Sequence, residues 1–167
     1  TAARASEEDG SSIRGWSRRT NAPICRVRTD RGERPTALEG ALCFKEGPKL
    51  YVEGQTTGQF WHGMVELANP DFSLLMMAGE EATQKEDEFL AAKAARLGMK
   101  VFWFSNTISE QVPTIMLPKN RGIGLTLAEI VPIQLISINV GKQTGHRPGD
   151  FVHLTHTVNT KVEEFKG

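Results

Sequence analysis

The sequence of 167 residues is poor in cysteine and has no excess charge of either sign. Its two cysteines, Cys25 and Cys43, are too few for a disulfide framework and lack the spacing of a metal site, which favours a reducing compartment. Twenty basic and 20 acidic side chains give a formal net charge of zero, which argues against nucleic acid or an anionic membrane as the partner. We therefore expect a cytoplasmic protein with a neutral or locally charged partner.

Long apolar runs are also missing from the sequence. No run approaches the ~18 apolar residues of a membrane span, and the sequence from Thr1 onward has no apolar signal core. With 39% hydrophobic and 24% charged residues, the composition is that of a folded domain that buries its own core without cross-links. The prediction is one globular domain that is not inserted in a membrane.

The first 34 residues differ in composition from the rest. They hold eight arginines and no lysine against five acids, a balance of +3 (8 − 5), which leaves residues 35–167 at −3. The stretch shows no lasting period of 2 or 3.6, and its Ser, Gly and Arg content is typical of a loose arm. We predict a loosely ordered leader over 1–34 and a folded domain over 35–167. An RNA-binding arm is the alternative for the leader, with Trp16 among the arginines as its support.

From Pro35 onward, apolar segments alternate with amphipathic ones. Pro35 suits a first helical turn, and Leu38, Leu42 and Glu46 follow at helical intervals, so residues 35–46 are predicted to form a helix. Further along the chain, the predicted strands are 72–79, 100–106 and 114–118, and the predicted helices are 80–98 and 125–145. Strands that are apolar throughout and alternate with helices predict an α/β fold, doubly wound, with a parallel sheet and helices on both faces.

The connection 46–63 carries the residues best suited to chemistry. In doubly wound sheets, ligands bind where such connections converge beyond the carboxyl ends of the strands. Glu46 and His62 can divide acid and base work, because burial raises a carboxyl pKa while imidazole already titrates near neutrality. Sugar isomerisation requires two such groups, because one moves a proton between neighbouring carbons and the other exchanges a proton with the ring or carbonyl oxygen. The alternative is a solvated glutamate at a helix end and a packed core histidine beside Trp61.

Several motifs follow one another in a fixed order. Residues 37–67 read ALEGALCFKEGPKLYVEGQTTGQFWHGMVEL, with ALEGAL, KE, EG, a glycine-containing turn and HG in succession. Later pieces are a strand ending in FSN, a strand ending in LP, a helix containing VPIQL, and GHRPGDF before TVNTK. As a set, over roughly residues 35–162, they resemble the second sugar isomerase (SIS) domain of glucosamine-6-phosphate synthase and of the ketosamine-6-phosphate deglycases.

The resemblance implies a flavodoxin-like domain with a five-stranded parallel sheet, which binds phosphorylated sugars between domains and subunits. Glu46 falls on the family's catalytic glutamate, and His62 falls on its catalytic histidine, which is contributed across a subunit interface. The implied ligand is a phosphorylated sugar or a sugar–amine conjugate, and the implied partner is a second copy or another SIS chain. The implied activity is that of an isomerase or deglycase acting on a ketose or ketosamine 6-phosphate.

Two other functions stay open beside the enzyme. One is a non-catalytic sugar-phosphate sensor, or a subunit that completes the site of another chain. The other is the isomerase half of an aminotransferase like glucosamine-6-phosphate synthase. The chain shows no glutaminase section, so we do not expect it to be the complete synthase.

The sequence also departs from the family pattern. Where the synthase has a Schiff-base lysine, HLTHTVNTK offers His156 or Thr157, and Lys161 follows four or five residues later. The deglycases need no such lysine. The S-x-S-G-x-T run that holds phosphate in the first domain of the family does not occur, and Thr56 and Thr57 are the candidate substitutes.

The remaining candidate residues are histidines and acids near the C-terminus and in helix 80–98. His153 and His156 are predicted to line the sugar site, by analogy with the position of the tail in the family. The spacing of His146, His153 and His156 matches no zinc pattern well, and an acidic helix start is usually a solvated face. RGIGLTL is read as a turn, since G-x-G without a third glycine is a weak dinucleotide signal. We predict no metal and no cofactor.

Overall fold

Short parallel strands alternate with helices over residues 24–25, 34–78, 82–119 and 122–153, which this computed structural model describes. The strands are β1 (Ile24–Cys25), β2 (Gly54–Gln55), β3 (Ser73–Ala78), β4 (Lys100–Ser105) and β5 (Thr114–Met116). The helices are α1 (Arg34–Glu46), α2 (Thr57–Trp61), α3 (Gln84–Arg96) and α4 (Ile123–Thr144), and a 3₁₀ turn spans Met64–Leu67.

The described strands pair in parallel throughout. β1 pairs with β2, and β4 pairs with β3 on one side and β5 on the other. Because β1 also lies against β3, the strands follow one another in space in the order β2-β1-β3-β4-β5. This is the order of flavodoxin-like, doubly wound folds, and the predicted fold class is confirmed.

Strand β3 is buried on both faces, and its side chains alternate between two separate cores. Leu75 and Met77 point into the first core, with residues of α1, β4 and α4: Ala41, Phe44, Phe104, Ile133, Ile136 and Val140. Leu74, Met76 and Ala78 point into the second core, with residues of α2, α3 and β4: Phe60, Leu90, Ala91, Ala94 and Trp103. Helices α1 and α4 therefore cover one face of the sheet, and α2 and α3 cover the other.

Helices α1 and α4 lie side by side and run in the same direction. Thr36, near the start of α1, donates a hydrogen bond to Glu129 at 3.5 Å, and Ser137 Oγ donates to the carbonyl of Cys43 at 2.8 Å. The second contact lies further along both helices than the first, as it must when the helices are parallel. A Cβ placed on Gly47 would lie 2.6 Å from Ser137 Oγ, so the end of α1 meets α4 closely.

The boundaries of the elements differ from the sequence prediction in a few places. Helix α3 begins at Gln84, four residues later than predicted, and β5 ends at Met116 rather than residue 118. Strand β1 lies within 1–34, the segment assigned to the leader, so part of that segment joins the sheet. Its pairing depends on partners distant in sequence, which a two-residue apolar stretch cannot reveal. The rest of 1–33 lies outside the described residues.

Helix α4 is long and apolar enough to reach the range of a membrane-spanning helix by length and composition. The sequence analysis, which looked for a continuous apolar run, does not predict such a helix, because Glu129, Gln134 and Asn139 interrupt the segment. In the structure Glu129 is fully buried, and α4 supplies Ile133, Ile136 and Val140 to the first core. The helix therefore has one side in the core of the domain.

Cys43 lies on α1, half-buried against the first core. Burial raises the pKa of its thiol above the ordinary value, and the nearby carboxylates of Glu39 and Glu46 raise that pKa further. A raised pKa leaves less of the reactive thiolate at neutral pH. Cys43 therefore packs against the first core, and we expect its thiol to react slowly.

Strand β2 passes very close to helix α1. A Cβ on Gly54 would lie 2.3 Å from the carbonyl oxygen of Ala37, whereas a Cβ on Gly58 would meet nothing within 4 Å. We expect Gly54→Ala to lower the free energy of unfolding by about 1–3 kcal/mol, because backbone must move to admit the methyl group. Gly58→Ala, the matched control in α2, should change it by no more than about 1 kcal/mol, in the stabilising direction. Urea denaturation measures both values, and equal effects would contradict the close packing.

The raised pKa of Cys43 predicts slow alkylation. In a Cys25→Ser background, iodoacetamide should react with Cys43 at pH 8 more slowly than with glutathione, since less thiolate is present. Glu39→Gln removes a carboxylate that raises this pKa and should speed the reaction, whereas Glu66→Gln should leave it unchanged. Reaction rates followed by mass spectrometry test this, and a rate unaffected by Glu39→Gln would refute the electrostatic explanation.

Candidate functional site

Glu46 is the last residue of α1, and its side chain is exposed. The helix end is fixed by Ser137, which bonds the Cys43 carbonyl, and by the backbone N–H of Gly47, which donates to the same carbonyl at 2.9 Å. Lys49 Nζ donates to the carbonyl of Glu46 at 2.6 Å, and Lys49 itself adopts a left-handed backbone with φ 59°. The carboxylate of Glu46 therefore reaches solvent from a firmly held backbone.

An extended segment leads from this turn to β2 and carries three linked polar side chains. Tyr51 OH donates to one carboxylate oxygen of Glu53, and Gln55 Nε2 donates to the other at 2.7 Å. The bond to Glu53 also raises the pKa of Tyr51 above its ordinary value. Since residues two apart share one side of an extended chain, these side chains form a row beside the edge strand β2.

The two threonines proposed as phosphate ligands have different environments. Thr56 caps helix α2: its Oγ1 accepts from the backbone N–H of Gln59 at 3.3 Å, and its own N–H donates to Gln59 Oε1 at 3.0 Å. This reciprocal capping box stabilises the start of the helix. The hydroxyl of Thr57 is buried and has no hydrogen-bond partner among the described residues, and the same holds for Gln55 Oε1. Thr57 therefore retains hydrogen-bonding capacity that Thr56 already uses.

His62 follows α2 directly and is exposed. Its backbone N–H donates to the carbonyl of Gly58 at 3.0 Å, which closes the helix. The helix is anchored by Phe60 in the second core and by Trp61, which stacks on Phe89 at a centroid distance of 6.4 Å. Lys93 Nζ lies 4.6 Å from the Trp61 ring, a cation–π contact that ties α2 to α3. The imidazole is therefore presented to solvent and is not packed in the core.

Within one chain, Glu46 and His62 belong to opposite layers. Glu46 ends α1, which packs in the first core, whereas His62 ends α2, which packs in the second core. No hydrogen bond joins the two side chains in the described part of the chain. The connection 46–63 between them contains the edge strand β2.

The predicted tail residues are only partly covered by the structure. His153 is exposed at the end of the described segment 122–153. His156 lies outside the described residues. Within the described residues, no group of three or more His, Cys, Asp or Glu side chains could hold a metal ion.

A polar cluster that the sequence analysis missed lies where β3 and β4 end. Gln84 Nε2 donates to Ser105 Oγ at 2.7 Å and to the carbonyl of Ala78 at 3.1 Å, and Ser105 Oγ donates to the same carbonyl at 3.0 Å. Gln84 also lies 3.3 Å from Asn106 Oδ1. The signal was present in FSN and in the polar start of α3, but nothing in sequence spacing links positions 21 and 22 residues apart. These hydrogen bonds join β3, β4 and α3, so the cluster has a structural role.

No family model matches the chain. Over 130 residues it is 26% identical to glutamine–fructose-6-phosphate aminotransferase (isomerizing) of Buchnera aphidicola, a match covering 76% of this chain and 21% of the relative. The chain spans about a fifth of the length of the curated relatives it matches.

Solved structures share the fold. The C-terminal domain of glucosamine-fructose-6-phosphate aminotransferase from Francisella tularensis superposes with a TM-score of 0.70 at 19% identity, covering 86% of this chain and 41% of that one. Tagatose-6-phosphate ketose/aldose isomerase from Escherichia coli gives 0.67 at 22% identity, covering 93% and 45%. The matches in sequence and in fold confirm the resemblance to SIS domains drawn from the motifs.

Proposed function

We propose that this SIS domain binds a ketose or ketosamine 6-phosphate and isomerises or deglycates it, with Glu46 and His62 as the acid–base pair. The observation that carries the proposal is that both side chains are exposed at the ends of helices anchored in the core. Exposed groups on a firm backbone meet the requirement of general acid–base catalysis that the group be held within reach of the proton it transfers.

The proposed chemistry divides the proton transfers between the two residues. The carboxylate of Glu46 takes a proton from the carbon next to the carbonyl group and returns it to the neighbouring carbon. His62 exchanges a proton with the oxygen, at the ring or at the carbonyl, so that no full negative charge accumulates there. The hydroxyl of Thr57, which lacks a partner among the described residues, is the better of the two threonines as a ligand of the substrate. His153 and His156 remain predicted substrate contacts.

The location of Glu46 and His62 on opposite layers supports a site shared between subunits. We propose that His62 serves the Glu46 of a neighbouring protomer, so that residues 54–64 lie at a subunit interface. The relatives in sequence are aminotransferases of whose length the chain covers about a fifth, which keeps the isomerase half of such an enzyme as a second candidate. That candidate would use the same pair of residues and would receive its amino group from another part of the protein.

A turnover assay distinguishes the enzyme hypothesis from the sensor hypothesis. We expect the protein to interconvert fructose 6-phosphate and its aldose, or to release amine and aldose from a fructosamine 6-phosphate, at a rate above the uncatalysed one. Glucosamine 6-phosphate tests the aminotransferase-like alternative in the same assay. Saturable binding by calorimetry with no turnover of any of the three compounds would instead favour a sensor.

Glu46→Gln and His62→Ala should each lower turnover by a factor on the order of 10²–10⁴, the usual contribution of a general acid or base. Both side chains are exposed, so the free energy of unfolding should change by no more than about 0.5 kcal/mol. Glu39→Gln, on the same helix, and His146→Ala are the matched controls and should retain activity. Loss of folding without loss of activity per folded molecule would contradict the catalytic role.

Mixing the two inactive variants tests whether the site is shared. A random mixture makes about half of its dimers hybrid, each with one intact site of two, so activity should recover to roughly a quarter of wild type. Glu46→Gln mixed with the double variant Glu46→Gln/His62→Ala is the control, because no hybrid then contains an intact Glu46. Absence of recovery despite demonstrated subunit exchange would mean that the pair acts within one chain.

A further inference from the structure

Helix α2, which His62 follows directly, is very short. It spans the five residues Thr57–Trp61, and a helix of this length is not stable by its own hydrogen bonds. A capping box holds its start, and Phe60 anchors it in the second core. His62 is attached to the last residue of this helix, Trp61. The position of the imidazole therefore depends on what holds Trp61.

Two side chains of α3 contact the ring of Trp61. The Phe89 ring stacks on it with a centroid distance of 6.4 Å and an interplanar angle of 29°, and Lys93 Nζ lies 4.6 Å from its centroid. These values fall in the ranges of favourable aromatic stacking and cation–π contact. Since Phe89 and Lys93 are four residues apart on α3, they share one side of that helix. We call these two residues the α3 clamp.

The α3 clamp is not needed to close the second core. Phe89 is 59% exposed, and Lys93 is exposed as well. Helix α3 fills the core with Leu90, Ala91 and Ala94 instead, which are fully buried. Exposed side chains away from a core contribute little to the stability of a domain as a whole. The effect of the α3 clamp is therefore local to Trp61 and α2.

We propose that Phe89 and Lys93 are positioning residues, which hold His62 in its catalytic place through Trp61. The inference rests on the proposed function, in which His62 exchanges a proton with a substrate oxygen. Such a transfer requires the imidazole to stay within hydrogen-bond reach of that oxygen, and small displacements slow it strongly. Without the α3 clamp, Trp61 is free to move away from α3, and His62 moves with it. The rate of the chemical step then falls, while the affinity for the substrate is retained.

Steady-state kinetics of clamp variants test the proposal. Lys93→Met removes the cation and Phe89→Leu removes the ring, so each should lower kcat by about 3–10-fold with KM changed by less than about twofold. Lys93→Arg and Phe89→Tyr keep the cation and the ring, and they should retain kcat within about twofold. Lys85→Met, at another exposed position of α3, is the matched control and should leave kcat unchanged. A raised KM with unchanged kcat in Lys93→Met would overturn the proposal, because Lys93 would then be a substrate contact.

A double-mutant cycle separates the positioning of His62 from a general effect on the domain. In the His62→Ala background, Lys93→Met should lower turnover no further, because the imidazole through which it acts is absent. A further loss of about threefold or more would overturn the proposal, since the α3 clamp would then act on more than His62. Sedimentation velocity verifies that the variants keep the assembly state of the wild type. A changed mass would also contradict the proposal, because it would assign the α3 clamp to a contact between subunits.

Hydrogen exchange measured by NMR tests the α3 clamp without reference to activity. The backbone N–H of His62 donates to the carbonyl of Gly58 at 3.0 Å, the bond that closes α2, and it exchanges when this turn opens. Lys93→Met and Phe89→Leu should speed that exchange by about 2–10-fold, and Lys85→Met should leave it unaltered. Exchange unaltered in both clamp variants would overturn the proposal. Faster exchange in a protein that turns over none of the three sugar phosphates would support the α3 clamp and contradict the proposed function alone.

Discussion

The burial of β3 on both faces is the constraint from which the rest of the domain follows. Each residue of this strand sends its side chain into one of two cores, so each core needs a layer of helices to close it. The connection between α1 and α2, which contains the edge strand β2, must then lead from one face of the sheet to the other. Glu46 and His62, the proposed acid–base pair, lie at the two ends of that connection, each at the end of a helix that packs on a different face of the sheet.

The fold could be predicted from the sequence to a large extent, because parallel strands that are buried on both faces are apolar throughout. The runs around β3 and β4 were recognised within two residues of their ends for this reason. Strand β1 could not be recognised, since a pair as short as Ile24–Cys25 is a strand by virtue of its partner β2. The sequence predicts an earlier start for α3 because its acidic residues from position 80 onward have the composition of a first helical turn, whereas the helix begins at Gln84.

The candidate site was predictable in residue type and less so in arrangement. The sequence alone identifies a glutamate at a predicted helix end and a histidine between Trp61 and Gly63. The structure shows that His62 is exposed, which argues against a histidine packed in the core. The difference between Thr56 and Thr57 was not visible, because it depends on which hydroxyl closes a capping box. Spacing also could not show that α4 has four exposed apolar side chains, since burial depends on where neighbouring elements end. They are Ile123, Leu127, Val131 and Leu135.

The turn after Glu46 also bears on how the domain could be altered. Lys49 holds a left-handed backbone that a residue with a Cβ adopts at a cost of about 1 kcal/mol or more, while its ammonium group secures the carbonyl of Glu46. Glycine there would remove the strain and also the bond. At Lys49 the thermal stability of the domain and the fixed position of Glu46, the proposed base, therefore oppose each other. Selection for heat-resistant variants would favour glycine at this position, and the hydrogen bond to the Glu46 carbonyl would be lost.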